Sequence, residues 1–177
     1  FNAKIIYAFN VSASGIPAFL AAKVFGKKVA IRIPGDPIWE RTAEKGLRLM
    51  PISQYYREGF HMKDRPWLYA MIRYILPRFD AAVTYTPLLA DIYTTHYGLP
   101  AAKLALVHNP VSRREMGAGI PPEPLGIFAG RFVAYKNLER VVRAFDAVVG
   151  RTGRGKLLLI GDGPDKEKIT RLSASLP

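Results

Sequence analysis

Short apolar runs typical of β-strands alternate with helical runs along most of this 177-residue chain. The runs KIIYAF (4–9), KVAIRI (28–33) and AAVTYT (81–86) are strand-like, and stretches with helical patterns lie between and after them. Such alternation is typical of parallel β-α-β units, because each helix carries the chain back to the start of the next strand. The sequence therefore predicts an α/β fold built on parallel sheets.

The alternation is interrupted once, in the segment NPVSRREMGAGIPPEP (109–124), which holds four prolines and two glycines. This composition predicts a hinge at 111–124 between two Rossmann-like, doubly wound lobes, residues 1–110 and 125–177. Each lobe is expected to be incomplete. The second has only two strand-like runs, and two strands cannot bury both faces of a parallel sheet.

The amino-acid composition limits the kinds of site and partner that this chain can have. The chain has no cysteine, which excludes disulfides, thiolate catalysis and sulfur-ligated zinc. Its three histidines lie far apart without ligand-like spacing, so they predict no metal site, although folding could bring distant groups together. No cofactor is expected. A net charge of +12, spread over both halves, favours polyanions, anionic lipid headgroups or phosphorylated small molecules as partners. The chain start lacks a signal-peptide pattern and no apolar run is membrane-spanning in length, so a cytoplasmic location is expected.

The stretch GRFVAYKN (130–137) follows the strand-like run LGIFA and precedes a helical pattern. Gly130 would let the backbone turn sharply, and Asn137 is a natural N-cap for the helix. Arg131 offers a planar fork and Lys136 a mobile point charge beside the helix start, a combination suited to a diphosphate. Two solvated surface cations are the alternative interpretation, of equal weight for this loop alone.

The stretch GDGP (161–164) follows the neighbouring strand-like run. Gly161 and Gly163 would let a ligand approach the backbone, and Asp162 could cap the next helix or accept a hydroxyl. A tight turn with a cap is the favoured interpretation of this loop alone. Ligands of open parallel sheets bind at the carboxyl ends of the strands, where both loops are expected, so together they predict a binding site.

The segments GIFAGRFVAYKNLERVVRAF and LLLIGDGPDKEKI resemble the donor lobe of GT-B glycosyltransferases of family 4, also called group 1. Upstream, FDAAVTYTPLLADIYTTHYGLPAAKLALVHNPV resembles that family's approach to the interdomain hinge, and SGIPAFLAAKVFGKKVAIRIPGD resembles the middle of its acceptor lobe. The resemblance spans nearly the whole chain in the right order. It implies the rear of an acceptor lobe (1–110) and the front of a donor lobe (125–177).

The resemblance implies a transferase that moves a sugar from a nucleotide-sugar to a glycan or lipid-linked acceptor of the cell envelope. The family retains the anomeric configuration and needs no bound metal. Arg131 and Lys136 would hold the donor's pyrophosphate and stabilise negative charge as the sugar leaves. The other implied donor-binding residues are Gly130, Asn137, Gly161, Asp162 and Gly163.

Three departures from the family pattern also matter. Its first glycine-rich loop would precede Phe1 and its glutamate pair would follow Pro177, so we expect a fragment that is inactive alone. Many relatives carry a histidine where this chain has Pro34-Gly35-Asp36. Asp36 is therefore a candidate catalytic residue, although a turn-forming aspartate is the favoured interpretation.

The segment KDRPWLYAMIRYILPRF predicts a helix with apolar side chains at helical spacing and cations around them. A helix packed on its sheet with basic flanks is the favoured interpretation. Peripheral contact with an anionic membrane is the alternative.

Other functions stay open at this point. The charge of +12 suggests a nucleic-acid-binding α/β protein, although no RNA-recognition or helix-turn-helix signature is present. A nucleotide-binding GT-B remnant without catalysis and a GT-B epimerase are further alternatives.

Overall fold

The computed structural model describes residues 2–111 and 124–176. These residues fold into two compact units, one with residues 2–42 and 50–111 and the other with residues 43–49 and 124–176. Of the predicted hinge, 111–124, only the two end residues are described, so its structure stays a prediction.

The first unit is built on a parallel four-stranded sheet in the order β1-β2-β3-β4. Its strands are Ile5–Ala8 (β1), Lys28–Ile33 (β2), Ala81–Thr84 (β3) and Leu104–Leu106 (β4). Its helices are Gly15–Phe25 (α1), Pro37–Glu44 (α2), Ile52–Arg57 (α3), Phe60–Asp64 (α4), Pro66–Ile75 (α5) and Pro87–Tyr97 (α6). The last two residues of α2 are assigned to the second unit.

The core of the first unit forms around β2, which pairs with a strand on each side. Ile31 and Ile33 are fully buried, because a central strand covered by helices loses its contact with water. The same apolar cluster includes Phe19 of α1, Ile72 of α5 and Tyr93 of α6. The helices that connect the strands therefore supply the cover that the sheet needs.

The second unit has a parallel pair of strands, Leu125–Ala129 (β5) and Lys156–Ile160 (β6), with helices Leu138–Thr152 (α7) and Lys166–Ala174 (α8). One face of the pair packs on a small core that contains Phe132, Val142 and Ile169. Ile127, Leu158 and Ile160 on the other face are exposed. The expectation that this lobe is incomplete stays a prediction.

The predicted α/β class with parallel sheets is confirmed, and β2 has the bounds that the sequence predicts. The helix predicted over 64–79, with Pro66 in its first turn and an end near Pro77, is α5, which begins at Pro66 and is followed by a 3-10 turn at Leu76–Arg78. None of the described helices is long and apolar enough to cross a bilayer.

Candidate functional site

The two predicted loops of the second unit lie side by side, because β5 and β6 are neighbouring parallel strands. The Gly130 N–H donates to the carbonyl oxygen of Ile160 at 2.9 Å, and the Phe132 N–H donates to that of Asp162 at 2.8 Å. The Phe132 carbonyl then accepts from the Asp165 N–H at 3.1 Å. Backbone hydrogen bonds therefore join the loops beyond the ends of the strands, as their sequence positions predict.

Gly161 and Gly163 are required by this contact between the loops. A Cβ on Gly161 would lie 1.9 Å from the carbonyl oxygen of Gly130, and one on Gly163 would lie 2.4 Å from that of Phe132. The sequence analysis expected a ligand to approach the backbone at these two glycines. On the side where a Cβ would lie, the backbone of the first loop already occupies that space. Glycine is therefore needed at both positions because the two loops pack closely, which the sequence did not indicate. The part of these glycines in donor binding stays a prediction.

The first loop is anchored by two apolar side chains and leaves its cations exposed. Phe132 and Val133 are buried, and a 3-10 turn, Ala134–Lys136, follows them. Arg131 donates through Nη1 to a carboxylate oxygen of Glu44 in the same unit, so its guanidinium already holds an anionic group. The Lys136 ammonium lies 5.1 Å from the ring centroid of Tyr135, also on the loop. Both side chains are exposed, and their part in binding a diphosphate stays a prediction.

Asn137 occupies the N-cap position of α7, but its side chain does not cap the helix. Its backbone is left-handed, with φ 52° and ψ 43°, whereas a capping side chain needs an extended N-cap backbone to reach the first-turn N–H groups. The Asn137 carbonyl accepts from the N–H groups of Arg140 and Val141 at 3.1 and 3.3 Å. The predicted side-chain cap is therefore wrong, and an asparagine suits the site because it tolerates positive φ.

Asp162 does not cap α8 either, since that helix begins at Lys166, after Asp165. Its carboxylate accepts from the Gly163 N–H at 2.8 Å and from the Lys166 ammonium at 3.3 Å. These bonds, first the one from the backbone and then the one from Lys166, lower the pKa of Asp162 below its usual range. The carboxylate is charged and exposed, so it can accept a hydrogen bond from a ligand hydroxyl.

Asp36, in the first unit, is fully buried. One carboxylate oxygen accepts from the N–H groups of Ile38 and Trp39 at 3.1 and 2.7 Å, which caps α2. The other accepts from the hydroxyls of Tyr56 and Tyr97 at 2.5 and 3.2 Å. Burial raises the pKa of Asp36. The favoured interpretation as a turn and cap residue agrees with this geometry, and a catalytic role stays a prediction.

The fold brings together two histidines that are distant in sequence. The His61 ring stacks on Tyr56 at 4.4 Å between centroids and meets the His96 ring edge-on at 4.8 Å. His61 is 2% exposed, and its Nδ1 is buried with no hydrogen-bond partner. Burial, and then the nearby His96, lower the pKa of His61 to about 4. Among the described residues, no group of three or more metal-ligating side chains comes together.

This histidine pair predicts a pH dependence of stability in the first unit. Because the folded-state pKa of His61 lies below its ordinary value of 6.5, its stabilising contribution is present above pH 6.5 and is lost as the pH falls towards 4. The loss amounts to at most about 3.4 kcal/mol. Urea unfolding at several pH values should therefore show a decline below pH 6.5 that is smaller in His61→Phe. Equal declines in both proteins would contradict the assignment to His61.

No protein-family model matches the sequence, and no curated protein matches it. A solved structure does match: the G117R mutant of TarM from S. aureus, in complex with Fondaparinux, alpha-GlcNAc-glycerol and UDP. The TM-score is 0.55 at 14% sequence identity, over 85% of this chain and 27% of the TarM chain. TarM is a GT-B glycosyltransferase.

The chain has a GT-B-type α/β fold. This likeness concerns the fold, since the identity of 14% is low, and the chain spans about a quarter of the length of the TarM chain. Membership of family 4, which the loop sequences suggested, stays a hypothesis.

Proposed function

We propose that this chain is part of a glycosyltransferase that moves a sugar from a nucleotide-sugar to an acceptor with retention of the anomeric configuration. The observation that carries the proposal is the pair of hydrogen-bonded loops at the carboxyl ends of β5 and β6, one of which bears Arg131 and Lys136. Open parallel sheets bind their ligands at this edge. The GT-B fold adds support, as does the likeness of these loops to the family 4 donor lobe.

In the proposed reaction the donor's pyrophosphate lies against the first loop. The Arg131 guanidinium binds two phosphate oxygens through its planar fork, and the Lys136 ammonium adds a mobile positive charge. As the bond between the sugar and the phosphate breaks, negative charge grows on the leaving nucleoside diphosphate, and both cations stabilise it. These two side chains thereby fill the role that a divalent metal fills in other transferases, so the proposal includes no metal.

The second loop supplies groups for a sugar or ribose hydroxyl. Asp162 is the candidate acceptor there, because its carboxylate is charged and its side chain is 77% exposed. The structure of TarM was obtained with UDP, Fondaparinux and alpha-GlcNAc-glycerol. For this chain we propose the corresponding partner classes, a nucleotide-sugar donor and a glycan or lipid-linked acceptor in cell-envelope synthesis, at a cytoplasmic site. Catalysis is proposed for a full-length transferase and donor binding for this chain.

Calorimetric titration of the chain tests this proposal against nucleic-acid binding. We expect saturable binding of uridine or guanosine diphosphate, and a weak response to a single-stranded oligonucleotide that disappears as salt is raised. The opposite result, indifference to both nucleoside diphosphates with tight, steeply salt-dependent oligonucleotide binding, would overturn the proposal in favour of a nucleic-acid-binding protein.

A further inference from the structure

The outward side of α5 is apolar. Trp67, Ala70, Met71 and Tyr74 occupy adjacent positions on this side of the helix, and we call this set the α5 apolar face. Trp67 is 88% exposed and Tyr74 is 60% exposed. The helix packs on its sheet, as the favoured interpretation predicted, and its Ile75 is buried, whereas Trp67 and Tyr74 take no part in that packing.

The inward side of α5 is apolar as well. Ile72 and Ile75 belong to the buried core, and Leu68 and Tyr69 pack against it. Arg73 is the one charged residue of this ten-residue helix. A surface helix normally presents polar side chains to water, so a helix that is apolar on both sides indicates a second apolar or interfacial surface. The inward side is already used, which leaves the outward side for a partner.

Cations are close to the α5 apolar face along the chain. Between residues 60 and 79 the sequence has four cations, Lys63, Arg65, Arg73 and Arg78, and one carboxylate, Asp64. That carboxylate accepts a hydrogen bond from the Tyr55 hydroxyl at 2.9 Å. The Arg78 guanidinium lies 3.8 Å from the centroid of the Tyr74 ring, so cation and aromatic ring share one surface. The charge of the region is complementary to an anionic partner.

We propose that the α5 apolar face docks onto the headgroup region of an anionic lipid bilayer. Trp and Tyr side chains are enriched at the interface between headgroups and acyl chains, because each combines an apolar ring with a polar atom. The flanking arginines and lysine lie close to lipid phosphates, and their aliphatic stems rest on the apolar surface. A helix of ten residues lies in the interface and does not cross the bilayer. This inference stands on the first unit alone and does not depend on the proposed function.

Vesicle binding monitored by tryptophan fluorescence tests the docking surface. The chain has two tryptophans, and Trp39 is half-buried with its indole N–H bonded to the Met50 carbonyl at 3.0 Å. In the Trp39→Phe chain the tryptophan signal therefore comes from Trp67. We expect this emission to shift to shorter wavelength on adding vesicles of phosphatidylcholine mixed with phosphatidylglycerol. With phosphatidylcholine alone it should stay unchanged.

Sedimentation with the same vesicles measures the contribution of each group. In the otherwise natural chain, Trp67→Ala should lower the affinity about tenfold or more, because it removes the largest apolar group from the interface. Arg73→Glu should lower it about 25-fold, since each unit of charge near an anionic surface changes affinity about fivefold. Added salt should weaken binding of the unaltered chain through screening.

Matched substitutions lie outside the α5 apolar face. Phe25→Ala removes an aromatic ring that is 69% exposed on α1, and Arg151→Glu reverses an exposed cation on α7. Neither should change vesicle binding by more than about twofold. The proposal is overturned if the chain ignores anionic vesicles, or if the control substitutions weaken binding as much as those on α5. It is also overturned if sedimentation velocity shows a dimer that Trp67→Ala dissociates while lipid binding is absent.

Discussion

Gly161→Ala should destabilise the second unit by about 3 kcal/mol or more. The added Cβ would lie 1.9 Å from the carbonyl oxygen of Gly130 and 2.9 Å from the Phe132 ring, so the first loop has to move. The φ of 152° at Gly161 is also unfavourable for a residue with a Cβ. Hydrogen exchange should reveal the change directly, with faster exchange of the Gly130 and Phe132 amides that now bond to Ile160 and Asp162.

Gly150→Ala is the matched control for this substitution. Gly150 lies within α7, and a Cβ there would meet no atom within 4 Å. Alanine is the better helix former by about 1 kcal/mol, so this change should leave the second unit equally stable or more stable. If the unfolding free energies of the two variants matched, the close packing of the two loops would be wrong.

Lys136→Ala should weaken the binding of a nucleoside diphosphate about tenfold to a hundredfold. A charge-assisted hydrogen bond to phosphate contributes about 1.5–3 kcal/mol, and the alanine variant loses it entirely. The affinity for the corresponding nucleoside should stay unchanged, because the nucleoside carries no phosphate for Lys136 to contact. Calorimetry with both ligands measures the two losses separately.

Two further substitutions complete this experiment, one within the proposed site and one control outside it. Arg131→Lys keeps the charge but removes the planar fork, so it should lose part of the diphosphate affinity. Arg154 is an exposed cation just before β6, at the amino end of the strand, and its removal should have little effect. Equal losses for diphosphate and nucleoside in Lys136→Ala, or a loss in Arg154→Ala as large as that in Lys136→Ala, would count against the phosphate role.

The alternation of strands and helices could be read from the sequence because its signals are local. The run KVAIRI became β2 with the predicted bounds, since β-branched apolar residues between glycine-containing turns favour a strand in almost any context. The position of the two loops, 130–137 and 161–164, at the same edge of the sheet followed from the parallel arrangement of β5 and β6 alone. These features depend on neighbours in the chain and on the handedness of β-α-β units.

Other features depend on residues far apart in the chain. The need for glycine at 161 comes from the carbonyl of Gly130, about thirty residues earlier, and no local pattern indicates that contact. Asparagine is a residue type that often caps helices, but Asn137 follows a 3-10 turn and has a left-handed backbone. In this conformation its side chain makes no capping hydrogen bond. For α5 the spacing predicted a helix with an apolar stripe, whereas tertiary packing decided that Ile75 is buried and Trp67 is exposed.

Titration of the isotope-labelled chain with inorganic pyrophosphate, followed through its backbone amide signals, tests the donor site most directly. Pyrophosphate carries the two linked phosphoryl groups without base or sugar. We expect saturable shifts concentrated on the amides of residues 130–137 and 161–163, which disappear when Arg131 and Lys136 are both replaced by alanine. Shifts scattered over surface lysines and arginines elsewhere, or unchanged by that double replacement, would contradict a diphosphate site at the ends of β5 and β6.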